Sequence, residues 1–229
     1  DTGLQDVFRS GGNFHSTIAK QVFKLPCEVE QVDELYGDRR QQAKAVTFGI
    51  MYGAGPAKIS WQVTKDSGKE FSMGEASRVI AGYFESFPNL KKWLDQCNAF
   101  IKTNAFIYSQ FGRKRRLPNA QSKDKGIASH EVRSGINFLV QSVASDINLL
   151  GAIDMQKYIN RTGMKSKIFG LVHDSILAEV PEDEMEIYCE KLKFFVQRDR
   201  GISIPDCPVG CDFEIGDDYS FGKWDKFYK

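Results

Sequence analysis

The chain has 229 residues, of which 41% are hydrophobic and 27% are charged, and these proportions are close to a globular average. They exclude a disordered tail, a collagen-like rod and a coiled coil, and the length predicts one large domain or two small ones. The 31 basic and 30 acidic residues leave a net charge of +1, so only a local concentration of cations could indicate a nucleic-acid partner. We expect a soluble protein, because no apolar stretch reaches the roughly 18 residues of a membrane span.

Helical periodicity dominates the first 125 residues. Asp38 is a candidate N-cap for a helix that continues to about Tyr52, and the glycines and proline of residues 53–56 end that helix. Further helices are predicted at residues 14–24, 73–86 and 89–104, the last two separated by Phe87-Pro88.

The pattern changes after Pro118, where strands join the helices. The apolar spacing predicts a helix at residues 127–159, strands at 167–172 and 175–180, a helix at 182–198 and a strand at 209–215. This order predicts an α+β arrangement in which helices pack on one face of an antiparallel sheet. So few strands make an incomplete sheet, and a missing strand could lie upstream of Asp1.

The N-terminal residue and the cysteines provide two smaller indications. The first residue is Asp1 and no signal pattern follows it, so we expect a processed product or a piece of a longer chain. Five scattered cysteines favour a reducing compartment over a disulfide framework. Cys207 and Cys211 could bind zinc, but the alternation of apolar residues over 209–215 favours a buried strand.

The first group of candidate functional residues is Arg40, Lys44, Phe48 and Tyr52. Steps of four residues advance about 40° around a helix, so the group forms one slowly winding stripe. Two cations and two aromatic rings suit a nucleotide, because cations bind phosphates and rings stack on a base or sugar. Residues 39–65 contain five basic residues and no acidic one. The spacing is equally compatible with a solvated basic face that has Phe48 buried in the core.

The second group is Arg133, Asn137 and Gln141 on the helix predicted at 127–159. These polar residues lie opposite the apolar stripe of that helix. They could donate hydrogen bonds to phosphates, sugars and minor-groove acceptors. Their spacing alone favours an ordinary exposed helix face.

The third group is His173-Asp174, which lies between two predicted strands and therefore forms a tight hairpin. Two-residue turns favour glycine, because their backbone needs positive φ, so His-Asp is a poor turn pair. The apolar strands give the tip a rigid base, on which a carboxylate is well placed to hold a divalent metal. We favour this functional Asp174 over a strained but inert turn.

These three groups, in this order, resemble the family A DNA polymerases of the bacterial DNA polymerase I and phage replicase type. The segment from Arg39 to Gly53 matches the family's motif B, and Val172-His173-Asp174 matches its motif C. Residues 111–118 resemble its GRRRxLP-like loop. The resemblance implies a right-hand polymerase fold, with helical fingers over residues 1–125 and part of an antiparallel-sheet palm over 126–229.

The resemblance also implies roles for individual residues. Arg40 and Lys44 would bind the triphosphate of an incoming dNTP, and Lys44 would protonate the leaving pyrophosphate. Phe48 would pack on the sugar, Tyr52 would lie by the templating base, and His15 would lie near the phosphates. Asp174 would be one of two metal-binding aspartates in a two-metal magnesium site, with His173 as its catalytic neighbour. The implied DNA contacts are His173, Arg133, Asn137, Gln141, Arg113, Arg115 and Arg116.

Two departures from the family pattern qualify these expectations. Ser175 stands where many members have Glu after the motif C aspartate. Motif A, which supplies the other catalytic aspartate, would lie roughly ten residues before Asp1 in the family pattern. We therefore expect activity only together with an upstream portion that carries motif A and the thumb. That portion would be a separate subunit of a split polymerase or a segment cut from the same protein.

Two other functions stay open at this point. The His-Asp-Ser triplet at 173–175 also occurs in single-subunit RNA polymerases, although Phe48-Gly49 and the 111–118 loop favour a DNA polymerase. Ser175 and the missing carboxylate would suit a non-catalytic nucleic-acid-binding module descended from a polymerase. The preferred function implies primer-template DNA and dNTPs as partners, no membrane, and the cytoplasm of a bacterial cell or phage-infected host, with an organelle not excluded.

Overall fold

The computed structural model describes residues 1–9, 13–202, 207, 209–218 and 222–223. Packing divides the chain into two compact units, Asp1–Val140 and Gln141–Lys229. The two units meet between Val140 and Gln141. This boundary is one of packing and not of function, so the boundary between fingers and palm near residue 125 stays a prediction.

The N-terminal unit is mainly helical. Its core contains Ile18, Val46, Ile59, Tyr83 and Phe87, all almost fully buried. Its elements are α1 (Thr2–Arg9), α2 (Phe14–Phe23), α3 (Val32–Met51), α4 (Pro56–Ser67), α5 (Met73–Ser86), α6 (Pro88–Asn104), β1 (Phe106–Tyr108), β2 (Lys114–Arg116) and the first part of α7 (Lys125–Thr162).

The predicted helices α2, α5 and α6 are confirmed, and their ends follow ordinary capping chemistry. Ser72 and Glu75 form a capping box at the start of α5. Pro88 occupies the first turn of α6, where its missing N–H costs nothing. The Asp1 carboxylate also accepts hydrogen bonds from the backbone N–H groups of Asn89 and Leu90, at 2.9 and 3.1 Å. The start of α6 is therefore capped from a distant part of the sequence.

The start of α3 was predicted wrongly. The helix begins at Val32 and is kinked at Tyr36, whose φ of −138° and ψ of 37° are not helical. A short 3₁₀ turn with a capping box between Glu28 and Gln31 leads into it. Asp38 therefore lies inside the helix, where its carboxylate pairs with Lys69 instead of capping.

The helix α4 was not predicted. Pro56 occupies its first turn and Gly68, with φ of 68°, closes its C-terminus. Gly49 of α3 packs closely against it, because a Cβ at Gly49 would lie 2.8 Å from Ile59 Cγ1. The glycines and proline of residues 53–56, which end α3, therefore allow the chain to turn at once into a second packed helix.

The C-terminal unit packs the second part of α7 and α8 with short strands. Its core contains Met155, Ile159, Tyr188, Leu192 and Phe213. Its other elements are β3 (Lys167–Val172), β4 (Ser175–Glu179), α8 (Met185–Gln197), β5 (Glu214–Ile215) and β6 (Gly222–Lys223). In the described parts of the chain, each strand pairs antiparallel with one other strand.

The last predicted strand is shorter than the alternation suggested. Only Glu214–Ile215 forms a ladder, although Cys211 and Phe213 still pack against the core of the C-terminal unit. Burial raises the pKa of the Cys211 thiol. This cysteine behaves as the apolar residue that the alternation indicated. Most of the aromatic tail, residues 219–221 and 224–229, lies outside the described residues.

The helix α7 extends the prediction of 127–159 by two residues or more at each end. By length and composition alone it could cross a membrane, although the sequence suggested no such segment. Val132 and Ile136 are buried in the N-terminal unit, and Met155 and Ile159 are buried in the C-terminal unit. The apolar residues of α7 thus supply core to each unit. Val140, between these two sets of buried residues, is 41% exposed.

Candidate active site

The two aromatic residues of the predicted stripe face solvent. Phe48 is 47% exposed and Tyr52, directly after the helix, is 45% exposed. The opposite side of α3 supplies the core with Ala43, Val46 and Ile50. The alternative in which Phe48 fills the core is therefore wrong. An exposed ring on a cationic stripe is available to a ligand.

His15 completes this stripe from a neighbouring helix. Asn13 caps α2 by accepting a hydrogen bond from the Ser16 N–H, which fixes the first turn that carries His15. The imidazole is half-buried, and its ring centroid lies 5.7 Å from that of Phe48. Its Nδ1 is buried without a hydrogen-bond partner among the described residues.

The charges around His15 affect its protonation. Burial lowers the pKa of His15 below 6.5, and the positive charges of Lys44 and then Arg40 lower it further. The neutral imidazole is therefore favoured. The structure brings together His15, Arg40, Lys44 and Phe48.

Arg40 and Lys44 differ in their surroundings. The Arg40 side chain is only 19% exposed, and its Nη1 lies 3.4 Å from the carboxylate Oδ1 of Asp33. Arg40 Nε is buried without a hydrogen-bond partner among the described residues. Lys44 is exposed. The Arg40 guanidinium is therefore positioned by Asp33 and still has an N–H available to a ligand. The Lys44 ammonium is a compact charge on a flexible side chain.

Arg133 lies against the end of the same helix. Gly53 has φ of +66°, and a Cβ there would lie 2.5 Å from Cγ and 2.6 Å from Cδ of Arg133. Glycine is thus required both by the backbone angle and by the arginine stem. The two residues line a cleft of about 280 Å³ together with Asn98 and Ser129. The structure therefore brings Arg133 of the second group to Gly53, the residue that follows Tyr52 of the first group.

The other members of the second group are placed differently. Asn137 is half-buried on α7 in the N-terminal unit, and Gln141 is exposed at the start of the C-terminal unit.

The three arginines of residues 111–118 belong to a hairpin rather than a loop. Gly112, with φ of +80°, lies in the turn between β1 and β2. The guanidinium groups of Arg113 and Arg115 lie 5.9 and 5.6 Å from the ring centroid of Phe138 on α7. Arg115 also donates a hydrogen bond of 2.8 Å to Ser134 Oγ. Arg116 is exposed and pairs across the strands with Phe106.

The His-Asp hairpin is confirmed. Val172 pairs with Ser175, so His173 and Asp174 alone form the turn between β3 and β4. His173 has φ of +54°, which costs a residue with a side chain about 1–2 kcal/mol. The Asp174 carboxylate is exposed at the tip. The backbone strain that the turn pair predicted is present, and a strained residue at a tip is a common feature of functional sites.

Asp174 provides a hard oxygen donor, the ligand type that Mg²⁺ prefers. Among the described residues, no three His, Cys, Asp or Glu side chains are grouped closely enough to hold a metal. Other aspartates have different partners: Asp1 caps two helices and Asp154 pairs with Arg198 and Arg200. Asp174 therefore fits Mg²⁺ as one ligand and does not complete a set.

Sequence reasoning missed two groups near these residues. Asp33 pairs with Arg40 across the kink at Tyr36, so regular helical spacing in the sequence does not indicate this pair. Lys114 was left out of the arginine cluster, although its Nζ lies 3.9 Å from the ring centroid of Phe106. Strict alternation from residue 114 to 116 would have placed Lys114 and Arg116 on one face.

The sequence has clear relatives. Residues 1–221 match the family model of DNA polymerase family A. The chain is 46% identical over 249 aligned positions to the DNA polymerase of Escherichia phage T5, covering 99% of this chain and 29% of the phage protein. It is 30% identical over 205 positions to DNA polymerase I of Caldicellulosiruptor bescii, covering 90% of this chain and 23% of that protein.

A solved structure shares the fold. The POL domain of Pol1 from M. smegmatis, in complex with DNA primer-template and dNTP, superposes with a TM-score of 0.78 at 25% identity. The match covers 92% of this chain and 35% of that one, so the chain spans 23% to 35% of the length of these three proteins. The predicted α+β polymerase fold is confirmed, and the chain belongs to DNA polymerase family A.

Proposed function

We propose that this chain takes part in template-directed DNA synthesis, the transfer of a nucleotidyl group from a dNTP to a primer 3′-hydroxyl. The observation that supports this most strongly is the grouping of His15, Arg40 and Lys44 around the exposed Phe48. In a member of DNA polymerase family A, that grouping is suited to a nucleoside triphosphate. Residues 1–125 would form the fingers and residues 126–229 part of the palm.

The two cations on α3 would bind the triphosphate. The Arg40 guanidinium can donate several hydrogen bonds to phosphate oxygens. The Lys44 ammonium can stabilise the negative charge that develops on the leaving group. Lys44 would also deliver a proton to the leaving pyrophosphate. Asp33 would compete with phosphate for Arg40, so Arg40 would exchange one anionic partner for another when the nucleotide binds.

The aromatic residues and His15 would position the remainder of the nucleotide. The rings of Phe48 and Tyr52 are each about half exposed. Phe48 would pack on the sugar, and Tyr52 would lie by the templating base. The neutral His15 ring packs beside Phe48 and would donate or accept a hydrogen bond at the phosphates through its unpartnered Nδ1. Binding of a polyanion would raise the pKa of His15.

The hairpin tip would hold the metal. Asp174 would supply one carboxylate, and Mg²⁺ bound there would stabilise the attacking and leaving oxygens of the in-line displacement. Mg²⁺ in such sites uses one or two carboxylates together with substrate phosphates. We propose that a second carboxylate comes from a polymerase portion that carries motif A and the thumb, either as a separate subunit or as a segment of the same protein. The 229 residues span 23% to 35% of the length of the three relatives, which leaves room for such a portion.

DNA would contact the chain through its polar helix face and basic hairpin. His173 would lie at the primer terminus beside Asp174, and the enzyme would work in the cytoplasm of a bacterial or phage-infected cell. The remaining proposed DNA contacts are Arg133, Asn137, Gln141, Arg113, Arg115 and Arg116.

The decisive experiment is primer extension with Mg²⁺ and dNTPs, using the chain alone and then with the motif A and thumb portion of a relative. We expect synthesis only when both are present. Asp174→Asn should reduce extension by the assembled enzyme at least about 10³-fold, because it removes a metal ligand, while primer-template affinity persists. Asp183→Asn, an exposed carboxylate of the same unit, is the matched control and should stay active.

Each other outcome has a definite meaning. Activity of Asp174→Asn would overturn the metal-ligand assignment. Synthesis by the chain alone would show that the second carboxylate lies within these residues. DNA binding without synthesis in any combination would favour the non-catalytic module.

A further inference from the structure

The segment between Asp95 and Asp124 is strongly cationic. It contains no acidic residue, so the positive charge has no compensation within the segment. Its six basic residues are Lys102, Arg113, Lys114, Arg115, Arg116 and Lys123.

The basic residues of strand β2 lie on the two opposite faces of the β1–β2 hairpin. Arg115 pairs across the strands with the buried Ile107 and contacts α7 through Ser134. Lys114 and Arg116 project from the opposite face, since side chains alternate along a strand.

The opposite face of the hairpin is also aromatic. Phe106 pairs with Arg116 and Tyr108 pairs with Lys114, and Phe100 of α6 packs edge-on against Phe106 with ring centroids 5.7 Å apart. The Phe106 and Tyr108 centroids are 5.4 Å apart. We name these five residues the aromatic–cationic face.

This face is open to solvent. Tyr108 is 50% exposed and Phe100 is 43% exposed. Lys114 Nζ lies 3.9 Å from the Phe106 centroid and 5.7 Å from that of Tyr108, so the charge stands among the rings. Across the part of the chain that the structure describes, neither Lys114 nor Arg116 forms an ion pair with a carboxylate.

We propose that the aromatic–cationic face binds single-stranded DNA. Bases would stack on Tyr108 and Phe100 while Lys114 and Arg116 contact phosphates, a combination typical of single-strand binding surfaces. Charge complementarity favours a polyanion, and the exposed rings favour one that carries bases over an acidic protein segment, which would use the cations only. The proposal rests on the proposed function, in which Arg116 contacts DNA, and extends it by base stacking on Tyr108 and Phe100, a binding that needs neither metal nor dNTP.

The test compares two labelled oligonucleotides with the full chain, in the absence of Mg²⁺ and dNTPs. One is a dT 12-mer and the other an abasic 12-mer of equal charge, and affinity is read by fluorescence anisotropy. The wild type should bind the dT strand more tightly. Tyr108→Leu should weaken dT binding at least about 5-fold, the lower end of measured base-stacking effects, and leave abasic binding unchanged. Lys114→Met should weaken both.

Two further arms keep the test decisive. Phe194→Leu removes a 61% exposed aromatic side chain of the C-terminal unit and should change neither affinity. Tyr108→Trp, made in a Trp61→Phe background, should show fluorescence quenching by dT and none by the abasic strand. This readout does not depend on the stability of the Leu variant.

Several results would overturn the proposal. These are equal affinity for the dT and abasic strands, unchanged dT binding by a folded Tyr108→Leu, or an acidic peptide that competes as well as dT and depends equally on Tyr108. The last result would instead identify a protein-binding surface. Failure of primer extension would leave these binding data untouched, so the two proposals fail separately.

Discussion

Lys44 is the residue whose removal best separates nucleotide binding from DNA binding. It is exposed on the stripe that also carries Phe48, and the structure gives it no role in the core. Lys44→Met should raise KM for dNTP and lower kcat by roughly 10²-fold, in the range of one electrostatic catalytic group. Steady-state extension by the assembled enzyme would measure both, and Lys58→Met is the control. A collapse of primer-template affinity with unchanged nucleotide kinetics would contradict the assigned role.

His15 reports on the same stripe through its protonation. Its pKa is lowered by burial and by Lys44 and Arg40, so the unfolded state binds the proton first as the pH falls. The contribution of His15 to stability is therefore complete above pH 6.5, the ordinary pKa, and is lost as the pH falls through the folded pKa. NMR titration of the imidazole should show its pKa rising in Lys44→Met. An unchanged value would mean that Lys44 does not lie near the ring.

At the level of elements, the contact between α3 and α4 depends on Gly49. A Cβ there would lie 2.8 Å from Ile59 Cγ1, whereas a Cβ at Gly37 of the same helix would meet nothing within 4 Å. Gly49→Ala should lower the free energy of unfolding by about 1–3 kcal/mol through overpacking. Gly37→Ala should raise it by up to about 1 kcal/mol through helix propensity. Urea denaturation of both variants checks the contrast, and equal effects would count against the close packing.

Elements that were predicted well have strong local signals. Phe87-Pro88 separates α5 from α6 at the predicted place, because proline cannot continue a helix but can start one. The His-Asp hairpin was found because two apolar strands flank a two-residue turn. The start of α3 was missed because its first turns depend on a capping box and a kink at Tyr36 rather than on periodicity.

The β1–β2 hairpin shows what local sequence could not supply. Its second strand is Lys-Arg-Arg, a sequence with no apolar alternation, and its pairing is supported by contacts with aromatic rings. Likewise, the approach of Arg133 to Gly53 joins residues 80 positions apart and follows only from the packing of α7. The residue types of the candidate site were predictable, but their neighbours depended on tertiary contacts.

For the whole molecule, the net charge of +1 is a poor guide to DNA binding. Residues 39–65 and the segment between Asp95 and Asp124 hold eleven basic residues and no acidic one. If about five of them contact phosphates, log K for primer-template should fall with log salt at a slope of about −4 to −5. Arg116→Gln should reduce the magnitude of that slope by about 1. Lys157→Gln, an exposed lysine of the C-terminal unit, should leave it unchanged, and a flat salt response would contradict phosphate-dominated binding.

The contact between Gly53 and Arg133 ties the evolution of two distant positions. A side chain at position 53 would occupy the space of the arginine stem, where the separations are 2.5 and 2.6 Å. A lineage could therefore replace Gly53 only after position 133 had accepted a short side chain, and it would still face the positive φ. A shorter side chain at position 133 meets no steric conflict with Gly53, whereas a side chain at position 53 conflicts with the arginine stem. The steric conflict therefore sets the order in which the two positions can change, with position 133 first.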